Sequence, residues 1–163
     1  MKVSQLMTRN LISVSPVDSV EEAVRLLRQK GVRHLLVLKQ GRLVGIISDR
    51  DIKRALEPSQ VRKKKLMNIG GLFFLLEPIL IREIMTRDVV TIGPEAYVQE
   101  AASIMVVERF GALPVVKDDK PVGIVTETDL LRYFANSAAK TDSGKKRKSK
   151  TKGTRKRKTK GTR

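Results

Sequence analysis

Apolar positions along the first third of the chain predict a strand followed by an amphipathic helix. Residues 11–14 form an apolar run that is long enough only for a strand. Asp18 followed by Glu21 then fits a capping box at the start of a helix. The next apolar residues recur at helical spacing and predict a helix over roughly residues 19–30 with one buried face: Val20, Ala23, Val24 and Leu27.

Two further apolar runs, residues 35–38 and 43–47, are rich in residues that favour strands. The four residues between them include a glycine and have the length of a hairpin loop. A second helix is expected after Ser48, because serine is a good N-cap and the acidic residues that follow it suit a first turn. The pattern therefore predicts an α/β unit with the order strand, helix, strand, strand, helix.

The same pattern occurs a second time, 78 residues later. Residues 3–54 align with residues 81–132 without a gap, and 15 of the 52 aligned positions are identical. The identical pairs include Pro16 and Pro94, Gly45 and Gly123, and Asp51 and Asp129. Because a unit this small does not close its own core, we expect the two copies to pack together around a pseudo-twofold axis, with ligand binding at the seam.

Both copies share features that point to a known family. Each opens with Met-Thr-Arg, at residues 7–9 and 85–87, and continues with a proline before an amphipathic helix. Each ends with glycine, two apolar residues, Ser or Thr, two further residues and Asp, at residues 45–51 and 123–129. In these features the chain resembles the tandem CBS-domain pair, also called a Bateman module, over residues 3–134.

The resemblance implies a regulatory module with no catalytic activity of its own. Such modules bind adenosyl ligands such as AMP, ADP, ATP or S-adenosylmethionine and commonly pair into a flat homodimeric disc. The domain organisation that follows is a first CBS unit at 1–56, a linker at 57–79, a second CBS unit at 80–136 and a tail at 137–163. We therefore expect a nucleotide sensor that signals to a partner.

The Ser/Thr-x-x-Asp ending of each copy offers chemistry for a nucleotide. Ser48 and Thr126 lie where a strand turns into a helix, and the first N–H groups of a helix are unpaired and partly positive, which suits a phosphate. Asp51 and Asp129 follow about one helical turn later, and a carboxylate can accept both hydroxyls of a ribose. The alternative is that each motif is only a helix cap. The duplication and the resemblance favour ligand binding in at least one copy.

Arg33 and His34 distinguish the two copies, because Gly111 and Ala112 occupy the equivalent positions. A cation at this position can neutralise a phosphate. We therefore expect the site near Arg33 and His34 to hold more phosphate charge, and the two sites to differ in affinity. The alternative for His34 is an ordinary surface or packed residue.

The linker divides into a basic run at residues 62–65 and an apolar run at residues 66–76. The apolar run is shorter than the roughly 20 residues that a membrane helix requires, so no membrane contact is expected. We expect a short helix or extended segment that packs on the paired units or in a subunit contact. The alternative is an exposed docking patch for another protein.

The tail is strongly basic and has no apolar residue after Ala139. Residues 140–163 include 13 Lys or Arg and one Asp, so they carry +12 of the formal charge of +17. This composition predicts a disordered polyanion-binding arm, and residues 145–163 are candidates for non-specific contact with RNA or DNA. A nucleic-acid-associated protein that presents basic tails from a dimeric CBS platform is therefore the alternative function. A merely solvated tail is the remaining interpretation.

The chain has no cysteine and one histidine. This composition excludes disulfides, cysteine nucleophiles and zinc clusters of Cys and His. No nucleophile and base stand out, which favours a protein that is not an enzyme and has no catalytic residue, metal or required cofactor. The N-terminus leads into the first repeat without a hydrophobic signal segment, and we expect a cytoplasmic protein.

Overall fold

The computed structural model describes residues 1–57, 66–75 and 78–148. A 3-10 turn at Val3–Gln5 precedes the first five elements: β1 (Ser13–Val14), α1 (Val20–Lys30), β2 (His34–Lys39), β3 (Arg42–Ser48) and α2 (Asp49–Ala55). The later elements are β4 (Leu66–Ile69), β5 (Leu72–Leu75), α3 (Ile81–Ile84), α4 (Val98–Glu108), β6 (Ala112–Lys117), β7 (Lys120–Thr126) and α5 (Glu127–Lys148). The predicted α/β fold with two similar units is confirmed.

Helix α1 begins one residue later than the capping box predicts. Ser19 is the N-cap, and its side chain accepts a hydrogen bond from the N–H of Glu22 at 3.4 Å. The carboxylate of Asp18 instead accepts a hydrogen bond from the N–H of Ser15 at 2.7 Å, so the predicted cap is wrong. Gly31 ends the helix in the left-handed conformation, with φ of 63°.

The two long strands of each unit form an antiparallel hairpin. His34 lies opposite Ser48 in the first unit, and Ala112 lies opposite Thr126 in the second. In each hairpin the first residue of the first strand is therefore paired with the last residue of the second strand, which caps the helix that follows. This pairing fixes the start of β2 or β6 beside the Ser/Thr-x-x-Asp motif.

The short first strand differs between the two units. β1 pairs in parallel with β2, and the N–H of Leu36 donates to the carbonyl of Ile12 at 3.1 Å. In the second unit the strand predicted at residues 89–92 is reduced to a single bridge at Ile92. The equivalent of Leu36 is Pro114, which has no N–H to donate, so this hydrogen bond cannot form.

The core of each unit is completed by the segment that precedes the other unit. We call these two segments, residues 1–7 and 79–85, the leading segments. Val3 is buried in the core of the second unit, and Ile81 is buried in the core of the first. The N–H of each donates to a carbonyl of the unit whose core it joins, at 2.9 Å in both cases. The predicted unit boundaries follow the repeat, whereas the packing exchanges the leading segments.

The linker contains a hairpin that pairs with no other described strand. β4 and β5 are antiparallel and are joined by Gly70 and Gly71. These glycines have φ of 63° and 85°, a left-handed geometry that glycine adopts without strain. The expected short helix or extended segment is therefore extended. The basic run at residues 62–65 lies outside the described residues.

Helix α5 continues to Lys148, whereas the composition predicts disorder from residue 137. The residues that follow 137 include alanines and lysines, which are good helix formers, and each residue added to an existing helix contributes a hydrogen bond. The rest of the predicted tail, residues 149–163, lies outside the described residues. No helix in the described part of the chain is both long and apolar enough for a membrane span.

Candidate functional site

Two clefts lie between the units, and each is lined by residues of both. The larger has a volume of about 280 Å³ and combines the start of α2 with the segments around Asp88 and Phe110; we name it the Asp51 cleft. The smaller has a volume of about 240 Å³ and combines the start of α5 with the segments around Leu11 and Val32; we name it the Asp129 cleft. These parts occupy equivalent repeat positions, so the two clefts are related by the pseudo-twofold axis.

The predicted Ser/Thr and Asp pairs have the same geometry in both units. Asp51 Oδ2 accepts hydrogen bonds from the N–H and the hydroxyl of Ser48, at 2.8 and 2.7 Å. Asp129 Oδ2 accepts the same two hydrogen bonds from Thr126, at 3.0 and 2.7 Å. Each motif therefore forms a helix cap, and the alternative stated above was that it does nothing else.

The cap engages mainly one oxygen of each carboxylate. Both aspartates are half-buried and line their clefts. Asp51 Oδ1 accepts no hydrogen bond from the described residues, and Asp129 Oδ1 accepts a long one of 3.5 Å from Arg132. One oxygen thus fixes the carboxylate at the helix start while the other keeps acceptor capacity for a ligand, so the two interpretations are compatible.

The N-termini of α2 and α5 have fewer unpaired N–H groups than the sequence predicts. The N–H of Asp49 donates to the carbonyl of Arg33, and the N–H of Glu127 donates to that of Gly111, both at 3.1 Å. Two residues later in each helix, the N–H donates to the cap hydroxyl, at 3.4 and 3.3 Å. Because these donors are engaged, the geometry does not support the expectation that a phosphate binds to them.

Arg33 and His34 line both clefts. His34 begins β2 directly opposite Ser48, so the backbone holds this pair beside the Asp51 cleft. The guanidinium of Arg33 nevertheless reaches the other unit, where Nη2 donates to Thr128 Oγ1 at 3.1 Å. All six residues predicted for the site therefore line one or both clefts.

His34 is packed between the two units. A Cβ at Gly111 would lie 3.2 Å from Nε2 of His34, so the glycine leaves room for the imidazole. Burial lowers the pKa of His34 below its ordinary value, and the charge of Arg33 lowers it further. Three carboxylates act in the opposite direction: Asp49, Asp51 and Glu127. The ring is therefore neutral near pH 7, yet it lies among charges of both signs.

Three arginines that the sequence did not predict line the Asp51 cleft: Arg50, Arg54 and Arg109. At the positions equivalent to Arg50 and Arg109, the other copy has Thr128 and Gly31. Arg109 has φ of 58°, in the left-handed region that Gly31 also occupies. This conformation costs a non-glycine residue about 1 kcal/mol, and such strain concentrates at functional positions. An arginine in place of the helix-ending glycine was therefore a signal in the sequence.

The Asp51 cleft also contains acidic residues. Asp88 stands where the other copy has Asn10, and Asp49 and Glu127 line the same cleft. Asp49 is paired with Lys53 at 3.3 Å. The cleft thus offers donors for a phosphate and acceptors for hydroxyl or amino groups. Within the described residues, no group of three His, Cys, Asp or Glu could hold a metal ion.

Comparison with known proteins identifies the repeat. The model of the CBS domain family matches the chain twice, at residues 3–58 and 81–136. The chain is 34% identical over 142 residues to an inosine-5'-monophosphate dehydrogenase from Korarchaeum cryptofilum, a match that covers 86% of this chain and 26% of that protein. It spans 47% and 32% of two further relatives from Methanocaldococcus jannaschii, so these relatives are more than twice as long as the matched region.

Solved structures share the fold of the paired units. The CBS domain pair of protein MJ0100, in complex with 5'-methylthioadenosine and S-adenosyl-L-methionine, has a TM-score of 0.71 at 29% identity and covers 84% of this chain and 98% of that one. The structure of CBSX2 in complex with AMP has a TM-score of 0.65 at 27% identity and covers 84% of this chain and 98% of that one. With both repeats matched and the paired fold shared, the chain belongs to the CBS domain family as a tandem CBS pair.

Proposed function

We propose that this chain is a regulatory module that binds an adenosine nucleotide or an S-adenosyl compound in the clefts between its CBS units. The observation that carries the proposal is the pair of equivalent clefts, each lined by an aspartate that its helix cap holds in place. Relatives of similar fold support it, because one binds 5'-methylthioadenosine and S-adenosyl-L-methionine and another binds AMP. Adenosine is the part that these ligands share.

The remaining cleft residues suit such a ligand. Adenine is flat and largely apolar on its faces, and apolar residues line both clefts: Ile46, Val89, Val90 and Phe110 in one, and Leu11, Ile12, Leu36 and Ile124 in the other. The volumes of about 280 and about 240 Å³ lie just below the range of about 300–1,000 Å³ that is usual for ligand pockets. They therefore favour a single nucleoside over a dinucleotide.

The test is calorimetry with AMP, ADP, ATP and S-adenosylmethionine on the wild-type chain, Asp51→Asn, Asp129→Asn and the double variant. Asparagine keeps one oxygen for the helix cap but presents an amide group in place of the free carboxylate oxygen. We expect each single variant to weaken its own cleft about ten- to a hundredfold. Thermal unfolding of each variant checks that the cap is preserved. Absence of heat with all four ligands up to about millimolar concentration, or unchanged binding by the double variant, contradicts the proposal.

We infer that the bound ligand acts through a partner and not through chemistry on the ligand. In support, each cleft is built by both units, so a ligand that contacts both favours one arrangement of the units over others. A regulated protein would detect that arrangement. The chain spans only part of its longer relatives. The regulated protein can be identified by comparing which proteins bind the chain with AMP and without AMP.

A second copy of this chain is the first partner that we expect. Exposed apolar side chains occur on α4 and α5, with Val106, Val107 and Leu131 each exposed by 70% or more (78%, 73% and 70%). Twofold association is the commonest way to cover such residues. Light scattering after size exclusion at tens of micromolar should give the mass of a dimer, and a monomer mass with AMP present contradicts this expectation.

A second candidate function rests on the basic C-terminal segment. The charge of +12 in residues 140–163 favours contact with nucleic-acid phosphates. The segment contains no aromatic residue on which bases could stack, so we expect no sequence preference. This function is compatible with nucleotide binding, because the segment lies outside both repeats.

A further inference from the structure

The two clefts share one cation, Arg33. Arg33 and the neutral His34 line the Asp51 cleft and the Asp129 cleft alike, and their counterparts in the second unit are Gly111 and Ala112. A symmetrical pair of clefts would have one such arginine for each ligand. Here Arg33 occupies this repeat position in one copy and a glycine occupies it in the other.

The geometry of Arg33 allows it to serve either cleft. Its backbone carbonyl is fixed by the N–H of Asp49, next to the Asp51 cleft. Its guanidinium is bonded to Thr128 Oγ1, beside the Asp129 cleft, and the side chain is exposed enough to turn. Because a guanidinium binds a phosphate best with two parallel hydrogen bonds, a phosphate in one cleft takes the donors that the other would need.

The other arginines make the two clefts unequal. Arg50, Arg54 and Arg109 line only the Asp51 cleft, and none of them has an ion pair among the described residues. The Asp129 cleft is lined by Arg33 as its one arginine in the described part of the chain. Carboxylates line the Asp51 cleft as well, so its advantage for a phosphate lies in its number of guanidinium donors and not in its net charge. A first phosphate that binds to these donors takes Arg33 with it.

We propose that the two clefts compete for Arg33, so that a phosphate-bearing adenosine ligand in the Asp51 cleft weakens the binding of a second one in the Asp129 cleft. The inference rests on the proposed binding of adenosine ligands. It adds that the second cleft, once the first is filled with a nucleotide, prefers an adenosyl ligand without a phosphate. The pair would then respond to two classes of ligand at once.

The test compares AMP with adenosine, which differs by the phosphate alone. AMP is titrated into the wild-type chain, which gives two stepwise constants, and into Asp51→Asn, which reports the Asp129 cleft alone. We expect the second wild-type step for AMP to be about 5- to 150-fold weaker than binding to Asp51→Asn, the usual range for coupling between sites. For adenosine the second step and the isolated cleft should agree.

Arg33→Ala, alone and combined with Asp51→Asn, should reduce this penalty for AMP, because neither phosphate can then take the arginine from the other. Arg42→Ala is the matched control, since Arg42 is exposed at the opposite end of β3 from Ser48 and should leave the penalty unchanged. A single AMP bound by wild type, with measurable binding to Asp51→Asn, is the extreme form of the expected result.

Three results overturn the inference while nucleotide binding stands. They are equal AMP constants for the second step and the isolated cleft, the same penalty for adenosine as for AMP, and a penalty that persists in Arg33→Ala. Failure of Asp51→Asn to bind AMP also overturns it, because the Asp129 cleft would then never compete for a phosphate. Absence of binding by both AMP and adenosine refutes the proposed function itself.

Discussion

Gly45 and Gly123 each lie against a methionine of the other copy. A Cβ at Gly45 would lie 2.7 Å from Sδ of Met85 and 3.0 Å from the carbonyl oxygen of Thr86. A Cβ at Gly123 would lie 2.5 Å from Sδ of Met7. Each glycine therefore admits the methionine of the leading segment that crosses over from the other copy.

Gly45→Ala should destabilise the chain by about 1–3 kcal/mol, because the new methyl group overlaps a backbone carbonyl that cannot rotate away. Gly93→Ala is the control, since no atom lies within 4 Å of its Cβ position. Urea denaturation measures both variants. Equal stability of Gly45→Ala and Gly93→Ala would show that the close approach is not a constraint.

His34 should make the stability of the ligand-free chain depend on pH. Its pKa in the folded chain is lowered from 6.5, mainly by burial and then by Arg33, so the unfolded chain binds the proton more tightly. The stabilising contribution is complete above pH 6.5 and is lost as the pH falls through the lowered folded value. Carboxylates titrate mostly at lower pH, and His34 is the single histidine in the sequence. A loss of stability just below pH 6.5 is therefore expected to come mainly from His34.

We therefore expect the wild-type chain to lose stability between about pH 7.5 and about pH 5.5, and His34→Gln to lose less. Denaturant titrations at the two pH values measure the difference. The expectation fails when both chains have the same dependence on pH.

The sequence predicts those residues of the candidate site that lie close together along the chain. Ser48, Asp51 and their counterparts lie within one turn of a helix start, so motif spacing identifies them. Arg109 was missed because it joins the Asp51 cleft only when the second unit packs against the first. The helix N–H groups were assigned to a phosphate because the carbonyls of Arg33 and Gly111, which accept two of them, approach only after the hairpins form.

At the scale of elements, the hairpins and helices follow the apolar pattern because their contacts are close in sequence. The strand at residues 89–92 was overestimated because Pro114 removes one hydrogen bond, and a proline in the neighbouring strand changes no apolar pattern. The exchange of the leading segments could not be predicted. An internal repeat tells which residues are equivalent, but not whether a segment packs in its own unit or in the other.

Val3→Ala should therefore destabilise the second unit, although Val3 precedes the first. Val3 is fully buried in the second core, and truncation of a buried valine costs about 2 kcal/mol. Hydrogen exchange should show the loss of protection first in α4 and β6. Ile81→Val is the reciprocal variant and should reduce protection in α1 and β2. If Val3→Ala instead reduced protection in the first unit, or Ile81→Val in the second, the leading segments would not be exchanged between the units.

At the scale of the whole molecule, most of the net positive charge, +12 of +17, lies in residues 140–163, beyond the paired units. Residues 140–148 bring part of it onto the end of α5, and residues 149–163 contain eight Lys or Arg. The two parts can be tested separately.

Truncation after Lys148 should weaken binding to RNA and DNA strongly, and truncation after Ala139 should abolish it. When about 6–10 phosphates are contacted, the full chain should lose about 10³–10⁵ in affinity between about 50 and about 200 mM salt. Anisotropy titrations over a salt series measure this, with AMP affinity as the control that should not change. Undiminished binding by the shorter chain would assign the contact to the paired units.

The exchanged leading segments also determine when the protein can finish folding during its synthesis. The ribosome makes Val3 among the first residues, yet the core that buries it includes Val98, Leu113 and Leu130. The first unit likewise lacks Ile79 and Ile81 until the leading segment at residues 79–85 has been made. The first core can therefore close once that segment has been made, whereas Val3 exposes apolar surface on the growing chain until nearly all of the second repeat has left the exit tunnel.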